Sequence, residues 1–175
     1  MKRLYFMRHG ETEMNVQNIW SGTTETPLTS KGREQAKKAG KKAKTFGIDY
    51  IVSSPLSRAH ETAKLIAKEI GYPADKIHTN SLFIERHFGE IEGTVWDFDT
   101  DLDGIIDIET FNETLERSRL ALQWLHGLDA QNILVVSHGS FGRALRHHIL
   151  EDYPYTNRRS DQINRIHNAQ IERWL

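Results

Sequence analysis

Two apolar runs in this chain stop at a histidine followed by a glycine. Leu4-Tyr5-Phe6-Met7 runs into Arg8-His9-Gly10, and Ile133-Leu134-Val135-Val136 runs into Ser137-His138-Gly139. A third run, Tyr50-Ile51-Val52, ends in Ser53-Ser54-Pro55, with Arg58 shortly after it. Guanidinium groups are permanently charged forked donors that match phosphate oxygens, and positive neighbours disfavour the charged form of a nearby histidine. A neutral imidazole is a nucleophile. The set therefore suits covalent phosphoryl transfer through a phosphohistidine, with a carboxylic acid to protonate the leaving alkoxide. Taken singly, His9 or His138 reads as a structural histidine, and Arg58 equally as one member of a surface pair or as a phosphate ligand. The repetition of His-Gly at two strand tips, with Arg beside one, favours chemistry.

Such residues must be delivered by strands. Residues 4–7, 50–55 and 132–139 are short continuous apolar runs bounded by turn formers, as expected of strands covered on both faces. Each is followed by a helical pattern or a loop. Residues 31–46, behind an N-cap at Thr29 or Ser30 and closed by Gly47, carry a thin stripe of Ala36, Ala39, Gly40 and Ala43. Lysines 37, 38, 41, 42 and 44 on this helix read as a solvated face, because nothing aromatic interleaves them. Further helices are expected from Ser57 to Gly71, from Thr110 or Asn112 to Leu128, and from Ser140 to Leu150. Residues 76–79 and the tail 168–175 read as short strands, 10–28 as a long functional loop, and 82–93 has no assignable period. The expected fold is α/β, a three-layer sandwich with a mostly parallel central sheet. In such sheets ligands bind beyond the carboxyl ends of the strands, where Arg8, His9, Arg58 and His138 would converge. Helix amino termini after Gly10 and Gly139 would add N–H donors.

The 175 residues suit a single domain, residues 1–175, and no linker or repeat divides them. Lys+Arg 23 against Asp+Glu 24 leaves a formal charge of -1, which gives no global attraction to nucleic acid or to an anionic membrane. Mean hydropathy is -0.59, and no apolar run approaches the ~20 residues of a membrane span. The chain has no cysteine, hence no disulfide frame and no thiol nucleophile; a cytoplasmic protein is the expectation.

With these residues in place, the chain resembles the histidine phosphatase superfamily, in its phosphoglycerate-mutase-like branch. Arg8-His9-Gly10-Glu11-Thr12 with Asn15 is similar to that family's signature, and Gly22, Pro27-Leu28-Thr29, Gly32 and Gln35-Ala36 match the segment after it. Ser53-Ser54-Pro55-Leu56-Ser57-Arg58-Ala59, then Glu85 with Phe88-Gly89-Glu90-Ile91-Glu92-Gly93, then Ser137-His138-Gly139 match the next blocks in order. The resemblance implies His9 as the phosphorylated nucleophile, with Arg8, Arg58 and His138 on the phosphoryl group. It implies Glu85 as proton donor and then base, phosphate contact at Asn15 and Gly139, substrate passage at Ser21-Gly22, and no metal or other cofactor. Without the resemblance, Glu85, Glu90, Glu92 and Glu11 remain equivalent candidates for the acid.

In the mutases of this branch, basic residues after the Glu block hold the substrate's carboxylate and second phosphate. Here no Lys or Arg occurs from Gly93 through Leu115, and the segment is short, implying a reduced cap. A doubly anionic substrate would find no partner in that segment. The expectation is a phosphomonoesterase for a small phosphorylated metabolite, resembling the broad-specificity and α-ribazole-phosphate phosphatases. The alternatives are a phosphoglycerate mutase and a non-catalytic phospho-ligand binder. Acidic residues of 97–109, if near the mouth, would select a neutral or cationic leaving group. Asp99, Asp101, Asp103, Gly104 and Ile106 mimic a calcium-binding EF-hand loop, but its twelfth position is Thr110 in place of a bidentate acid, so the run reads as a solvated loop. Oligomeric state is open between monomer and homodimer.

Overall fold

A computed structural model describes residues 2–97, 100–150 and 165–175. Strand β1 (Arg3–Arg8) leads to a short helix α1 (Glu13–Val16), then α2 (Ser30–Ala43), β2 (Tyr50–Ser53), α3 (Ser57–Ile70) and β3 (His78–Thr79). Helix α4 (Phe111–Gly127), β4 (Asn132–Ser137), α5 (Gly139–Ile149) and β5 (Ile171–Arg173) complete the order. The sheet runs β3-β2-β4-β1-β5, parallel except for β5, which pairs antiparallel with β1 at the edge.

Alternation along β1 makes the three layers. Leu4 and Phe6 pack with Ala121, Leu125, Phe141 and Leu145 of α4 and α5, while Tyr5 and Met7 pack with Ala39, Ala59, Ala63 and Ile66 of α2 and α3. Both faces are covered, which is why the strand reads as continuously apolar.

The expected strands and long helices are present. Helix α2 ends at Ala43, short of the expected 46, and Gly47 makes the turn that follows. The loop expected over 10–28 contains α1, a single turn whose capping box joins Thr12 and Asn15; one turn is too short to show periodicity. In 76–79 only the last two residues are strand, after a 3-10 turn at Ala74–Lys76. The segment without a period holds two further 3-10 turns, Ser81–Phe83 and Gly89–Ile91. Asp99 of the EF-hand mimic lies outside the described residues. Asp101 accepts from the Asp103 amide in an exposed turn, and no group of three or more His, Asp or Glu among the described residues is arranged to hold a metal. No described helix is long and apolar enough to cross a membrane.

Candidate active site

The two His-Gly tips meet because β1 and β4 are hydrogen-bonded neighbours in parallel register, with Arg8 opposite Ser137. His9 and His138 therefore leave the sheet side by side, with ring centroids 5.1 Å apart at 62°. Close backbone packing sets the turn after His9. A Cβ on Gly10 would lie 2.4 Å from the Gly32 carbonyl oxygen, and one on Gly32 would lie 2.1 Å from that of Glu11, so the start of α2 seats against this turn only through glycines.

His9 is 3% exposed. Its Nδ1 lies 2.7 Å from the Gly10 carbonyl oxygen, and Arg58 Nε donates to its Nε2 at 3.2 Å. A carbonyl only accepts and a guanidinium only donates, so the partners specify Nδ1–H and a lone pair on Nε2. Burial, then the charges of Arg58 and Arg8, hold the imidazole well below its ordinary pKa against the opposing Gly10 bond. His138 is fully buried and likewise held neutral, by burial and then by Arg58, His9 and Arg8. Its Nε2 lies 2.7 Å from Ser54 Oγ, while its Nδ1 is buried without a hydrogen-bond partner among the described residues.

Arg58, 1% exposed, comes from the first turn of α3 just past β2. Besides His9 it donates to the carbonyl oxygens of Thr24 (2.9 Å) and Gly22 (2.6 Å). Gly22 takes a positive φ of 44°, and a Cβ there would overlap Glu92 Oε1 at 1.8 Å. Arg8 donates from Nη1 to the Ile166 carbonyl at 3.2 Å, and its buried Nε lacks a partner among the described residues. Burial brings the Arg8 pKa down to about 10 against the pull of Glu85, with Arg165, Arg58 and Arg143 adding to the lowering; at neutral pH it is a cation.

Glu85 reaches the amino terminus of α5. Its Oε1 accepts from the amides of Arg86 (2.9 Å) and Phe141 (2.8 Å), and its Oε2 from that of Ser140 (3.1 Å). The other candidate acids separate from it. Glu11 pairs with Lys31 at 2.7 Å, and Glu90 accepts from the Ile106 amide. Glu92 fastens the 21–24 loop, accepting from Thr23 N, Thr24 N, Thr24 Oγ1 and Phe88 N. Although burial opposes it, hydrogen bonds from Thr24, Phe88 and Thr23 hold the Glu92 carboxyl below its ordinary range.

A cavity of about 520 Å³ is lined by Arg8, His9, Asn15, Ser21, Gly22, Arg58, Glu85 and Gly139 among others; His138 is not in its lining but is fully buried with its ring centroid 5.1 Å from that of His9. Ser21 Oγ is buried and unpartnered among the described residues. Asn15 is oriented by its neighbours: Oδ1 accepts from Thr12 N (3.2 Å) and Asn168 Nδ2 (3.1 Å), so the amide NH2 is its remaining donor end.

Three expectations change. The Gly10 amide donates to Thr62 Oγ1 and no helix starts there, so it offers no helix terminus to an anion; at α5 the Ser140 and Phe141 amides are taken by Glu85. From the acidic segment, Leu102 lines the cavity, packed with Trp20 and Phe88. Its described acids do not line it: Asp97, Asp101, Asp103 and Asp107 are exposed and Glu109 pairs with Arg117, so selection of a neutral or cationic leaving group by these acids has no structural basis. Cations missing from 93–115 enter from elsewhere, since Arg86, Arg143 and Arg165 line the cavity.

Sequence reasoning missed Asn168, whose Nδ2 donates to the His9 carbonyl (3.0 Å) as well as to Asn15. Its signal was faint, an Asn at the start of the expected edge strand 168–175, which in the structure begins only at Ile171. Arg143 lies one helical turn after Gly139, a spacing visible in the sequence.

Strand tips carrying two neutral imidazoles among buried guanidiniums define a phosphoryl-handling α/β domain. The family model of the histidine phosphatase superfamily (branch 1) matches residues 4–173, and the chain belongs to that superfamily. A protein of Citrobacter koseri named probable phosphoglycerate mutase is 45% identical over 71 residues, which are 41% of this chain and 33% of that protein. The chain thus spans about a third of that relative's length. The uncharacterized phosphatase PhoE of Bacillus subtilis is 34% identical over 149 residues, 83% of this chain and 76% of that one. Among solved structures, the α-ribazole phosphatase of Shigella flexneri superposes with a TM-score of 0.78 at 25% identity, covering 98% of this chain and 89% of that one.

Proposed function

We propose that this protein is a phosphomonoesterase working through phospho-His9 on a small phosphorylated metabolite, without a metal. The observation that carries the reading is the His9 Nε2 lone pair, selected by the Gly10 carbonyl, on a residue that lines a cavity together with Arg8 and Arg58. In the first step Nε2 bonds to phosphorus as the ester P–O bond breaks, and protonated Glu85 gives its proton to the departing alkoxide. In the second, Glu85 takes a proton from water, the resulting hydroxide oxygen bonds to phosphorus, and the P–N bond breaks to return His9 and release phosphate. Arg8 and Arg58 balance the oxygens' charge in both steps. The three amide bonds to Glu85 fix its carboxyl beside the first turn of α5, the position a leaving-group oxygen would share.

The test is His9→Ala. Loss of p-nitrophenyl phosphate hydrolysis together with loss of acid-labile phosphate labelling is expected; full turnover in the variant would sink the mechanism. A phosphoglycerate mutase is the second reading, favoured by the arginines that line the cavity beyond Arg8 and Arg58. Isomerisation of 3-phosphoglycerate outpacing its hydrolysis would establish it. Phosphate binding with no turnover across a panel of esters would instead mark a non-catalytic binder.

A further inference from the structure

Residues 84–87 belong to no helix or strand, so the backbone around Glu85 has no ladder of hydrogen bonds to hold it. One ion pair, neither member of which lines the cavity, grips it from both sides. Arg117 of α4 donates from Nε and Nη2 to the two carboxylate oxygens of Glu109, each at 2.8 Å, and from Nη1 to the carbonyls of Leu82 (2.9 Å) and Ile84 (2.8 Å). Ser137 Oγ donates to the carbonyl between them, that of Phe83, at 2.7 Å. Past Glu85 the grip passes to Glu109. Its carbonyl accepts from Arg86 Nε (2.8 Å), its Oε2 accepts from the His87 amide (3.2 Å), and its own amide donates to the His87 carbonyl (2.9 Å). The Arg117 guanidinium also lies 4.9 Å from the Phe141 ring centroid, and the Phe141 amide is one of those that hold the Glu85 carboxylate. At 17% and 16% side-chain exposure the pair is largely shielded, so water cannot simply take over bonds that are lost.

We infer that Arg117, with Glu109 as its counter-ion, is the positioning residue for the general acid: it fixes the chain on either side of Glu85, so that the carboxyl stays where a leaving-group oxygen can take its proton. The fork is what the task requires. A guanidinium meets a carboxylate and two carbonyls at once in one plane, whereas an ammonium of the same charge is a single point on a flexible stem. The inference rests on Glu85 being the acid, as proposed above, and makes a prediction that general loss of structure does not. A general acid matters only to a leaving group that needs a proton, so a loosened Glu85 should slow esters of weakly acidic alcohols and spare those whose anion departs unaided.

The substrates are phenyl phosphate and p-nitrophenyl phosphate, of similar shape, the second with the far more acidic leaving group. Their kcat/KM contains only steps up to departure of that group, so the later use of Glu85 as base does not enter. In Arg117→Lys, which keeps the charge and loses the fork, kcat/KM for phenyl phosphate should fall on the order of 100-fold, the cost of displacing a reacting group by about an ångström. For p-nitrophenyl phosphate it should stay within about threefold of wild type. Glu109→Gln should show the same selectivity in smaller measure, and serves alone if thermal unfolding shows that Arg117→Lys does not fold. Glu85→Gln sets the scale and should show the selective loss in full. If Glu85→Gln is selective while Arg117→Lys and Glu109→Gln slow both esters equally, or neither, the positioning role is refuted and the acid stands. If Glu85→Gln slows both esters equally, Glu85 is not the acid and the positioning role falls with it. A wild type that hydrolyses neither ester would remove the phosphatase reading and this inference together.

Discussion

Replacing Asn168 by alanine tests whether the tail of the chain holds His9 in place. Asn168 Nδ2 donates to the backbone carbonyl of His9 at 3.0 Å and to Asn15 Oδ1 at 3.1 Å, while the Ala169 amide donates to the Arg8 carbonyl at 2.9 Å. The edge next to β1 is thus tied to the tip that carries His9. The substitution removes both side-chain bonds but leaves the Ala169 amide. Two hydrogen bonds are worth about 1 kcal/mol each, and a buried carbonyl left unpaired adds roughly 1–2 kcal/mol, so a loss of about 3–4 kcal/mol is expected. For a chain of this size that corresponds to a fall of roughly 5–15 °C in Tm. Asn15 also loses the bond that orients its amide. Displacing reacting groups by an ångström costs on the order of 100-fold, so kcat/KM for p-nitrophenyl phosphate should drop tenfold or more at temperatures where the variant is fully folded. Urea unfolding and initial rates at 20–25 °C measure the two effects separately. A variant within 0.5 kcal/mol of wild type and with unaltered kcat/KM would refute the reasoning. Destabilisation with unaltered kinetics would leave Asn168 a purely structural residue.

Stability should also depend on pH through the two buried histidines. Both are held well below their ordinary value, so between that depressed value and the ordinary 6.5 the unfolded chain binds more protons than the folded one. Their contribution is complete above about pH 6.5 and is lost as pH falls below it, by up to about 1.4 kcal/mol per pH unit for each histidine. Urea midpoints that stay flat from pH 8 to 5 would contradict this. Gly22→Ala must strain a positive φ and displace Glu92, which fastens the loop whose carbonyls hold Arg58; kcat/KM should fall at least tenfold, and a variant with wild-type kinetics would show that the loop's placement does not matter.

The strand tips were legible in the sequence because burial on both faces leaves a continuous apolar run, and such a run announces where it stops. His9, His138 and Arg58 stand out for that reason, and α3 was bounded correctly by Ser57 and Gly71 because its stripe and its left-handed closing glycine are local signals. Segment 82–93 had no such signal. Its shape comes from Glu92 gathering the amides of 23–24, and from Arg117 donating to the carbonyls of Leu82 and Ile84, contacts across tens of residues that leave no period behind. The bottom-up choice among Glu11, Glu85, Glu90 and Glu92 was open for the same reason: a carboxylate's role depends on which donors face it, and only folding brings the α5 amides to Glu85.

The residue types and their order along the chain thus determined the chemistry available here, two neutral imidazoles among arginines at the ends of parallel strands. Tertiary structure decided which His9 nitrogen keeps its lone pair and what else lines the cavity. The His9 tautomer depends on Arg58 arriving from the first turn of α3, Asn15 is turned by Asn168 from a distant part of the chain, and Arg143 and Arg165 line the cavity while 93–115 has no Lys or Arg. Hydrogen-bond direction and summed charge are properties of neighbours in space, and neighbours in space are what the linear order does not contain.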